Sequence, residues 1–296
     1  MPCQRNSLKV ERNIFARSSS RLTTLSRSNP GFFLKQHTNE CCRCGPCQPN
    51  IDWLVQPYLN YSTSPVDLTY DAPTILFVKE DAPYFGRCMS WAGPGFRRTT
   101  YNVHLGGAPV DKNQPPAGQI VMRHEKGWSC GKDCIVGCNN DGQLVYAPMC
   151  CCLPYLDTYD SLSNQKLGTS AVECVLCLWV PQFSIADAQG VKKYRIKPAT
   201  CCCGCCIDFC KIKSKAGVGC CRIPYLIRDW VTDEPLGGPL GEEGINDLWL
   251  GLTKECCLQK NLYACKYPHV FTEAEKATMI GCTLLYDITL IEQGAK

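Results

Sequence analysis

The sequence predicts a mainly β protein in which an antiparallel meander is closed by one hydrophobic C-terminal helix. Three observations lead to this fold class. From Thr74 onward the chain consists of short apolar runs separated by turn residues, and no long amphipathic helical pattern precedes residue 270. The last apolar segment, Ala277–Ile291, then has apolar side chains on every side of the helix it would form.

The strands of the meander are predicted from five apolar runs that are rich in β-branched and aromatic residues. They are Thr74–Val78, Gln119–Met122, Gln143–Tyr146, Phe183–Ile185 and Tyr194–Ile196. Two stretches are typical of the turns that join antiparallel strands: 139–142, which consists of Asn, Asp and Gly, and 186–190, which contains Asp187 and Gly190.

The C-terminal helix is predicted over residues 272–293, with Gly294 as its stop. Thr272 and Glu275 have the spacing of a capping box, in which the N-cap hydroxyl and the Glu carboxylate each bind the other residue's backbone N–H. Because the helix is apolar all round, we expect other parts of the protein to surround it. Its predicted core residues are Met279, Ile280, Leu284, Leu285, Ile288 and Ile291.

Two other interpretations of this segment remain open. A membrane-spanning helix needs about 20 apolar residues, whereas Ala277–Ile291 has 15, and Asp287 lies among them. An aspartate near the bilayer centre costs about 3 kcal/mol, which favours a helix enclosed by protein. A buried strand is the other alternative, because Thr283, Tyr286 and Thr289 are good strand formers.

Residues 1–50 are predicted to be a basic, Ser- and Arg-rich disordered arm that ends in a cysteine cluster, and residues 51–296 to be the folded domain. The first 40 residues carry seven Arg or Lys residues against two Glu. This composition is similar to a mitochondrial transit peptide. It equally suits a basic arm that touches anionic lipid or nucleic acid, and both interpretations remain open.

The chain contains 26 cysteines among 296 residues. The N-terminal residues lack the apolar core of a secretion signal, so the cysteines are expected to serve metal binding, acylation or redox chemistry rather than a disulfide scaffold. Cys44 with Cys47, and Cys174 with Cys177, have the short spacing of zinc ligand pairs, so Zn²⁺ is one candidate ligand.

Runs of adjacent cysteines suit zinc less well. Neighbouring side chains in an extended chain point to opposite faces, and therefore cannot all reach one ion. Thioester acylation addresses each thiol separately, and two or more acyl chains make a stable membrane anchor. Metal binding and unmodified cysteine remain alternatives. The predicted acylation sites are Cys150, Cys151, Cys152, Cys201, Cys202, Cys203, Cys205 and Cys206.

Three blocks of this sequence, taken in order, form a recognisable pattern. The first block is Asn140–Val145 with Pro148 and the cysteine run, and the second is Pro181–Ile185 continuing through Pro198 to Phe209. The third block starts at Gly244 and continues into the C-terminal helix; it contains Trp249, Gly251, Lys254, Glu255, Tyr267, Pro268, Met279, Ile280 and Gly281. In their order and spacing these blocks resemble the phospholipid scramblase family, and the resemblance covers about residues 74–293.

The resemblance implies a tubby-like fold, in which a closed antiparallel barrel of about 12 strands surrounds the hydrophobic helix. It also implies a function: movement of phospholipids between leaflets in both directions, without ATP, by a protein held on the membrane through acylated cysteines. The family also has a calcium-binding loop just before the helix. Its ligand positions correspond here to Gln259, Asn261 and Val270. Because calcium affinity depends on carboxylates and none is present at these positions, we expect this loop not to bind calcium.

No enzymatic motif is found around the four histidines, His37, His104, His124 and His269, and lipid movement breaks no bond, so we expect no enzyme activity.

The expected partner is a phospholipid membrane containing anionic lipids, at the cytosolic face of the plasma membrane, with the mitochondrion as the alternative location. A homo-oligomer is one hypothesis for how lipid passes. A non-transporting membrane-tethered adaptor for anionic lipid or nucleic acid, and a zinc or redox module, are the competing functions.

Overall fold

The structure is a computed structural model, and it describes part of the chain. The described residues are 31–37, 50–57, 73–83, 99–109, 116, 118–127, 129, 134–138, 144–147, 153–173, 182–198, 200–201, 206–207, 222–236, 244–248 and 261–291.

Within these residues the chain forms sixteen β-strands, followed by one α-helix that continues into a π-helical turn. In chain order they are β1 (Gly31–Gln36), β2 (Asp52–Pro57), β3 (Leu76–Asp81), β4 (Thr100–Leu105), β5 (Ile120–Lys126), β6 (Cys134–Cys138), β7 (Leu144–Ala147), β8 (Tyr155–Asp160), β9 (Lys166–Glu173), β10 (Gln182–Asp187), β11 (Lys192–Pro198), β12 (Thr200–Cys201), β13 (Cys206–Ile207), β14 (Arg222–Asp229), β15 (Gly244–Leu248), β16 (Leu262–Lys266), α1 (Glu273–Tyr286) and the π-helical turn (Asp287–Ile291).

Twelve of the strands form a closed antiparallel barrel. Around the barrel the order is β1, β16, β15, β14, β11, β10, β9, β8, β5, β4, β3 and β2, and β1 closes the ring by pairing with both β2 and β16. The remaining strands form two separate two-stranded sheets, β6 with β7 and β12 with β13. The mainly β fold class and the 12-stranded closed barrel that were predicted are confirmed.

The barrel begins earlier in the chain than predicted. Gly31–Gln36 is a barrel strand, with Phe32 opposite Cys265 on one side and opposite Pro57 on the other. The predicted boundary at residue 50 therefore cuts through the folded domain. The apolar side chains of Phe32, Phe33 and Leu34 are almost completely buried, which explains why this segment joins the barrel although its neighbours in sequence are basic.

All five predicted strands overlap observed strands, and the alternation of side chains accounts for them. In β9 buried and partly exposed residues alternate along the strand, as expected when one face lines the core. The predicted turn at 186–190 is also present. Asp187 Oδ1 accepts the backbone N–H groups of Gln189 (3.0 Å) and Val191 (2.9 Å), and Gly190 adopts a φ of +82°. The predicted turn at 139–142 lies outside the described residues.

The predicted C-terminal helix is confirmed, including its capping box. The Thr272 side chain accepts the backbone N–H of Glu275, and the Glu275 carboxylate accepts the backbone N–H of Thr272 at 2.7 Å. Every residue from Ala277 to Tyr286 is buried, and the helix packs against β8, β9 and β10. The helix is therefore enclosed by protein. The predicted stop at Gly294 lies outside the described residues.

The register of the strands distinguishes two ends of the barrel. The turns after β8, β10 and β14 lie at the same end, because β8 to β11 form consecutive hairpins and β11 pairs with β14. The helix also starts at this end, where Tyr194 Oη donates to Glu275 Oε1 at 3.0 Å. We call it the cap end. The opposite end, which contains Asp81, Thr100, Lys126 and Tyr155, is called the cleft end.

Candidate functional site

A row of polar residues crosses four neighbouring strands at the cleft end. Asp81 on β3 lies opposite Thr100 on β4, Thr100 lies opposite Glu125 on β5, and Glu125 lies opposite Asp157 on β8. Residues directly opposite each other on antiparallel strands project from the same face of the sheet, with Cβ atoms about 5 Å apart. The sheet register therefore brings three carboxylates onto one face.

This row forms part of the wall of an open cleft of about 600 Å³. That volume lies within the range of clefts that bind small molecules, about 300–1,000 Å³. The lining residues are Asp81, Pro83, Thr99, Thr100, Glu125, Lys126, Gly127, Tyr155 and Asp157.

Two of the three carboxylates are paired with cations beside the cleft. Glu125 Oε1 lies 2.6 Å from Arg123 Nε, and Asp157 Oδ1 lies 2.7 Å from Lys166 Nζ. Asp157 also accepts the hydroxyl of Thr169 at 2.7 Å. Asp81 is exposed and has no ion pair or hydrogen bond to its side chain among the described residues. It is the carboxylate of the cleft that remains available to a ligand.

The aromatic ring of Tyr155 lies directly over Gly127. A Cβ atom at Gly127 would be 2.0 Å from Cζ and 2.2 Å from Oη of that ring, so only glycine leaves room for it. The Gly127 backbone N–H also donates to the Tyr155 carbonyl, at 3.3 Å. The absence of a side chain at position 127 thus determines where the tyrosine ring sits in the cleft wall.

Thr99 and Lys126 form the most buried part of the lining, with 2% and 6% of their surface exposed. The Lys126 backbone N–H donates to the Thr99 carbonyl at 2.9 Å. In the described part of the chain, the Thr99 hydroxyl has no hydrogen-bond partner. An unsatisfied buried hydroxyl costs about 1–3 kcal/mol, and the oxygen of this one is closed to solvent.

A second polar cluster lies inside the barrel, around Asp287. Its Oδ1 accepts the Asn261 side-chain amide at 2.7 Å and the Tyr263 hydroxyl at 2.5 Å, and its Oδ2 accepts the Trp53 indole N–H at 2.9 Å. Asp287 is completely buried. The carboxylate of Asp287, the only charged residue of the apolar segment, is thus satisfied by three hydrogen-bond donors. One donor lies on β2, one on β16 and one on the residue before β16, so these bonds join the end of the helix to the barrel wall.

The tyrosines near this carboxylate remain neutral. Burial, followed by the negative charge of Asp287, raises the pKa of Tyr263 well above its ordinary value. Burial likewise raises the pKa of Tyr286. Because the cluster is closed to solvent and its hydrogen bonds are internal, it serves to position the helix and does not bind substrate.

At Gly281 the helix lies close against the barrel wall. A Cβ atom at Gly281 would lie 2.8 Å from His124 Nδ1 and 3.2 Å from Thr158 Oγ1. His124 is completely buried, and its Nδ1 lies 3.0 Å from Thr158 Oγ1. Burial lowers the pKa of His124 to about 3, so its imidazole is neutral at physiological pH.

The predicted core residues lie where the sequence predicted them. Met279, Leu284 and Leu285 have no exposed surface, and Ile280 and Ile288 retain 5% and 7%. Ile291 belongs to the π-helical turn, and its side chain lies outside the described residues.

Most of the predicted acylation sites lie outside the described residues, namely Cys150, Cys151, Cys152, Cys202, Cys203 and Cys205. For Cys201 and Cys206 the backbone is described, and the two residues are paired across β12 and β13. The described residues next to both clusters, Leu153–Pro154 and Pro198, adjoin strand ends at the cleft end.

Two buried cysteines that the sequence analysis did not single out, Cys265 and Cys282, are free thiols. Burial raises the pKa of Cys265 to about 12 and that of Cys282 still further, which makes both unreactive.

Of the three calcium-loop positions, Gln259 lies outside the described residues. Asn261 is buried with its amide on Asp287, and Val270 is 52% exposed at the cap end. Asn261 and Val270 therefore lie apart from each other, and neither supplies a carboxylate. Among the described residues, no group of three or more His, Cys, Asp or Glu is placed to hold a metal ion. That this loop does not bind calcium stays a prediction.

Sequence reasoning missed the cleft, because its carboxylates come from three separate strands and only the sheet register unites them. It also missed the partners of Asp287, although an isolated charge in an apolar segment was a visible signal.

Comparison of this chain with protein-family models, with curated proteins and with solved structures found no match. None of the helical segments in the described part of the chain has both the length and the apolarity needed to cross a bilayer.

Proposed function

We propose that this protein is a membrane-attached phospholipid scramblase that moves phospholipids between leaflets in both directions without ATP. The observation that carries the proposal is the closed 12-stranded barrel around an enclosed C-terminal helix. This is the architecture that the resemblance to the scramblase family implies. It also fits the sequence blocks, whose last member leads directly into the helix.

Attachment to the membrane follows from the cysteine clusters. Because the helix is enclosed, its apolar side chains contribute nothing to membrane binding in this state, and the acyl chains supply the anchor. Each buried methylene of an acyl chain contributes about 0.8 kcal/mol, and two or more chains make attachment stable. Both triple clusters adjoin residues at the cleft end, so the barrel stands with its cleft end toward the bilayer.

The test uses acylated full-length protein in liposomes that carry a fluorescent phospholipid in one leaflet only. Label should equilibrate between leaflets faster than in protein-free liposomes, and a calcium chelator should not change the rate. A variant with serine at Cys150, Cys151 and Cys152 should bind less and equilibrate the label more slowly. If acylated protein binds the liposomes and the label stays in place, with calcium and without it, the transport function is refuted.

A second function is favoured by a specific observation. Every residue from Ala277 to Thr289 is buried, so this helix has no face that lipid could contact. A tethered barrel that binds anionic lipid or nucleic acid and transports nothing needs no helix face in contact with lipid, so the enclosed helix favours it. Binding to vesicles or to nucleic acid without movement of the label would establish this second function.

A further inference from the structure

We propose that the outer wall of the barrel binds a phosphate monoester through Arg195, Lys197 and Arg228, and that the carboxylate of Asp233 occupies this site until the phosphate displaces it. Three features carry the inference: three cations converge on one carboxylate, that carboxylate leaves two of them without a hydrogen bond, and an aromatic ring holds one of them in place.

The register of two neighbouring strands brings the cations together. Arg195 on β11 lies directly opposite Arg228 on β14, and Lys197 projects from the same face of β11, two residues further along. Ile196, between the two β11 cations, is completely buried in the core, so the cations project outward. Their side chains keep 29% (Arg195), 25% (Lys197) and 26% (Arg228) of their surface exposed, which makes them accessible to a ligand.

One carboxylate serves all three cations. Asp233 Oδ2 lies 2.5 Å from Lys197 Nζ and 3.6 Å from Arg228 Nη1. Asp233 Oδ1 lies 3.5 Å from Arg195 Nη1. Two arginines directly opposite each other repel, and a single carboxylate offsets only one of the three positive charges. A dianion would offset more of the charge than the carboxylate does.

The other charged side chains of this wall are already committed. Lys192 Nζ lies 2.7 Å from Glu173 Oε1, and Lys193 Nζ lies 3.6 Å from Asp187 Oδ2. The Asp229 carboxylate accepts two backbone N–H groups of its own turn. The excess of positive charge is therefore confined to the three cations around Asp233.

The Asp233 carboxylate is an incomplete partner for these cations. Hydrogen bonds from nitrogen to oxygen are about 2.7–3.2 Å long, so the contacts of 3.5 and 3.6 Å to the two arginines are ion pairs only. Within the described part of the chain, Oδ1 accepts no hydrogen bond. A phosphate monoester has three terminal oxygens and close to two negative charges at pH 7, and guanidinium groups bind phosphate with two N–H groups at once.

The ring of Trp230 positions one of the arginines. Arg195 Cζ lies 4.4 Å from the ring centroid, within the range of a cation–π contact. A guanidinium that stacks through its face keeps the N–H groups at its edge available to an anion. Because Arg195 is held by the ring, less side-chain entropy is lost when a phosphate binds.

The turn that carries Asp233 does not depend on the Asp233 carboxylate. Asp229 Oδ1 accepts the backbone N–H groups of Val231 (2.8 Å) and Thr232 (2.9 Å). The backbone of Asp233 is fixed separately: its N–H donates to the Asp229 carbonyl at 3.1 Å, and its carbonyl accepts Arg228 Nη1 at 2.7 Å. A phosphate can therefore displace the carboxylate while the turn stays closed.

The test is isothermal titration of the purified full-length chain, in a buffer free of phosphate, with glycerol 3-phosphate and with the diester dimethyl phosphate. The monoester should bind, and the diester, which has one negative charge and fewer terminal oxygens, should bind about fivefold more weakly. Asp233→Asn should tighten monoester binding about fivefold, because it removes the competing charge. Asn also tolerates the left-handed backbone of this residue, whose φ is +55°.

Arg228→Gln should weaken monoester binding about fivefold. The matched control is Lys166→Gln, which removes a cation of similar exposure (34%) that is paired with a single carboxylate, and it should leave binding unchanged. Thermal unfolding checks that each variant is folded. The gain expected for Asp233→Asn cannot arise from a damaged fold.

Three results would overturn the proposal. They are the absence of monoester binding by both the unsubstituted protein and Asp233→Asn, equal affinity of these two proteins, and equal weakening by Arg228→Gln and Lys166→Gln. None of them depends on whether the protein moves lipid, so the failure of this site and the failure of the proposed function are distinguishable.

The phosphate can belong to a soluble ester or to a lipid headgroup, and cosedimentation of the unacylated full-length chain with vesicles separates the two sources. If Arg228→Gln reduces binding to vesicles that contain phosphatidic acid, a monoester, and not to vesicles of phosphatidylglycerol, a diester, the ligand is a headgroup. If Arg228→Gln changes only the titration with glycerol 3-phosphate, the ligand is a soluble ester. Both results support the site, and the titration decides whether it exists.

Discussion

At the cap end Asp160, Asp187 and Asp229 accept backbone N–H groups close to them in sequence. Inside the barrel, by contrast, the carboxylate of Asp287 joins elements that lie far apart along the chain. Asp187 accepts backbone N–H groups two and four residues ahead, and Asp160 accepts that of Ser163 at 3.1 Å. Asp287, in contrast, accepts a hydrogen bond from the indole N–H of Trp53, 234 residues away. The same side chain thus closes turns at one end, and at the other fixes the helix and lines a cleft.

The apolar surface shows the opposite distribution. The large apolar side chains that are exposed among the described residues all lie at the cap end, on its turns or at the ends of its strands. They are Ile120, Leu162, Val191, Val231 and Val270. The surface of the cleft end is polar instead. If the cysteine clusters anchor the cleft end, these aliphatic side chains face away from the bilayer.

The comparison is tested most strongly by replacing one carboxylate at each end. Asp287→Ala should lower the free energy of unfolding by about 3–5 kcal/mol, because it leaves three buried donors unsatisfied in the barrel. Asp187→Ala should cost only about 1 kcal/mol, since its turn is exposed and water replaces the lost bonds. Urea unfolding followed by tryptophan fluorescence measures both.

The control for this pair is Asp287→Asn, which keeps the shape of the side chain and loses its charge. It should be less destabilising than Asp287→Ala and more destabilising than Asp187→Ala. Equal losses for Asp287→Ala and Asp187→Ala would show that the buried cluster does not fix the helix.

The difference between the ends also explains how much of the structure could be predicted. The capping box at Thr272 and the turn at Asp187 are local patterns, so a short stretch of sequence contains all the information. The enclosure of the helix followed from its apolar surface and from the single charge at Asp287.

Features that depend on distant pairing could not be predicted in this way. Local sequence alone places Gly31–Gln36 in the basic arm, because its partner strand, Leu262–Lys266, lies at the other end of the chain. The cleft likewise exists only because Asp81, Glu125 and Asp157 come into one row, and a shift of one residue in any strand would move that strand's side chain to the other face.

The second prediction concerns pH and the helix contact at His124. The pKa of His124 is lowered from 6.5 to about 3 in the folded protein, so below pH 6.5 the unfolded chain takes up a proton that the folded chain does not. Stability should therefore fall on acidification, by about 2 kcal/mol between pH 7 and pH 5 from this residue alone. Urea unfolding at both pH values measures this loss.

His124→Gln removes the titrating group and keeps a polar side chain of similar size. Its loss of stability between pH 7 and pH 5 should be smaller than that of the unsubstituted protein by about the same 2 kcal/mol. An unchanged pH dependence would mean that the imidazole is not enclosed between β5 and the helix.

The third prediction concerns the start of the helix at the cap end. Thr272→Ala should lower the free energy of unfolding by about 1 kcal/mol, because it removes the hydroxyl that accepts the Glu275 N–H. Thr272→Ser keeps the hydroxyl, so its free energy of unfolding should be close to that of the unsubstituted protein. If the alanine and serine variants unfold at the same urea concentration, the capping box does not contribute to stability.

The smallest effect is expected at Val231, which is 88% exposed on the turn after β14. Val231→Ser should change the free energy of unfolding by no more than about 0.5 kcal/mol. It should also leave cosedimentation with vesicles unchanged, because the cap end faces away from the bilayer when the cleft end is anchored. Val231→Asp extends the test, since a charge on a membrane-inserted turn would release the protein. Release by Val231→Asp, with stability retained, would reverse the assignment and make the aliphatic turns of the cap end the membrane contact.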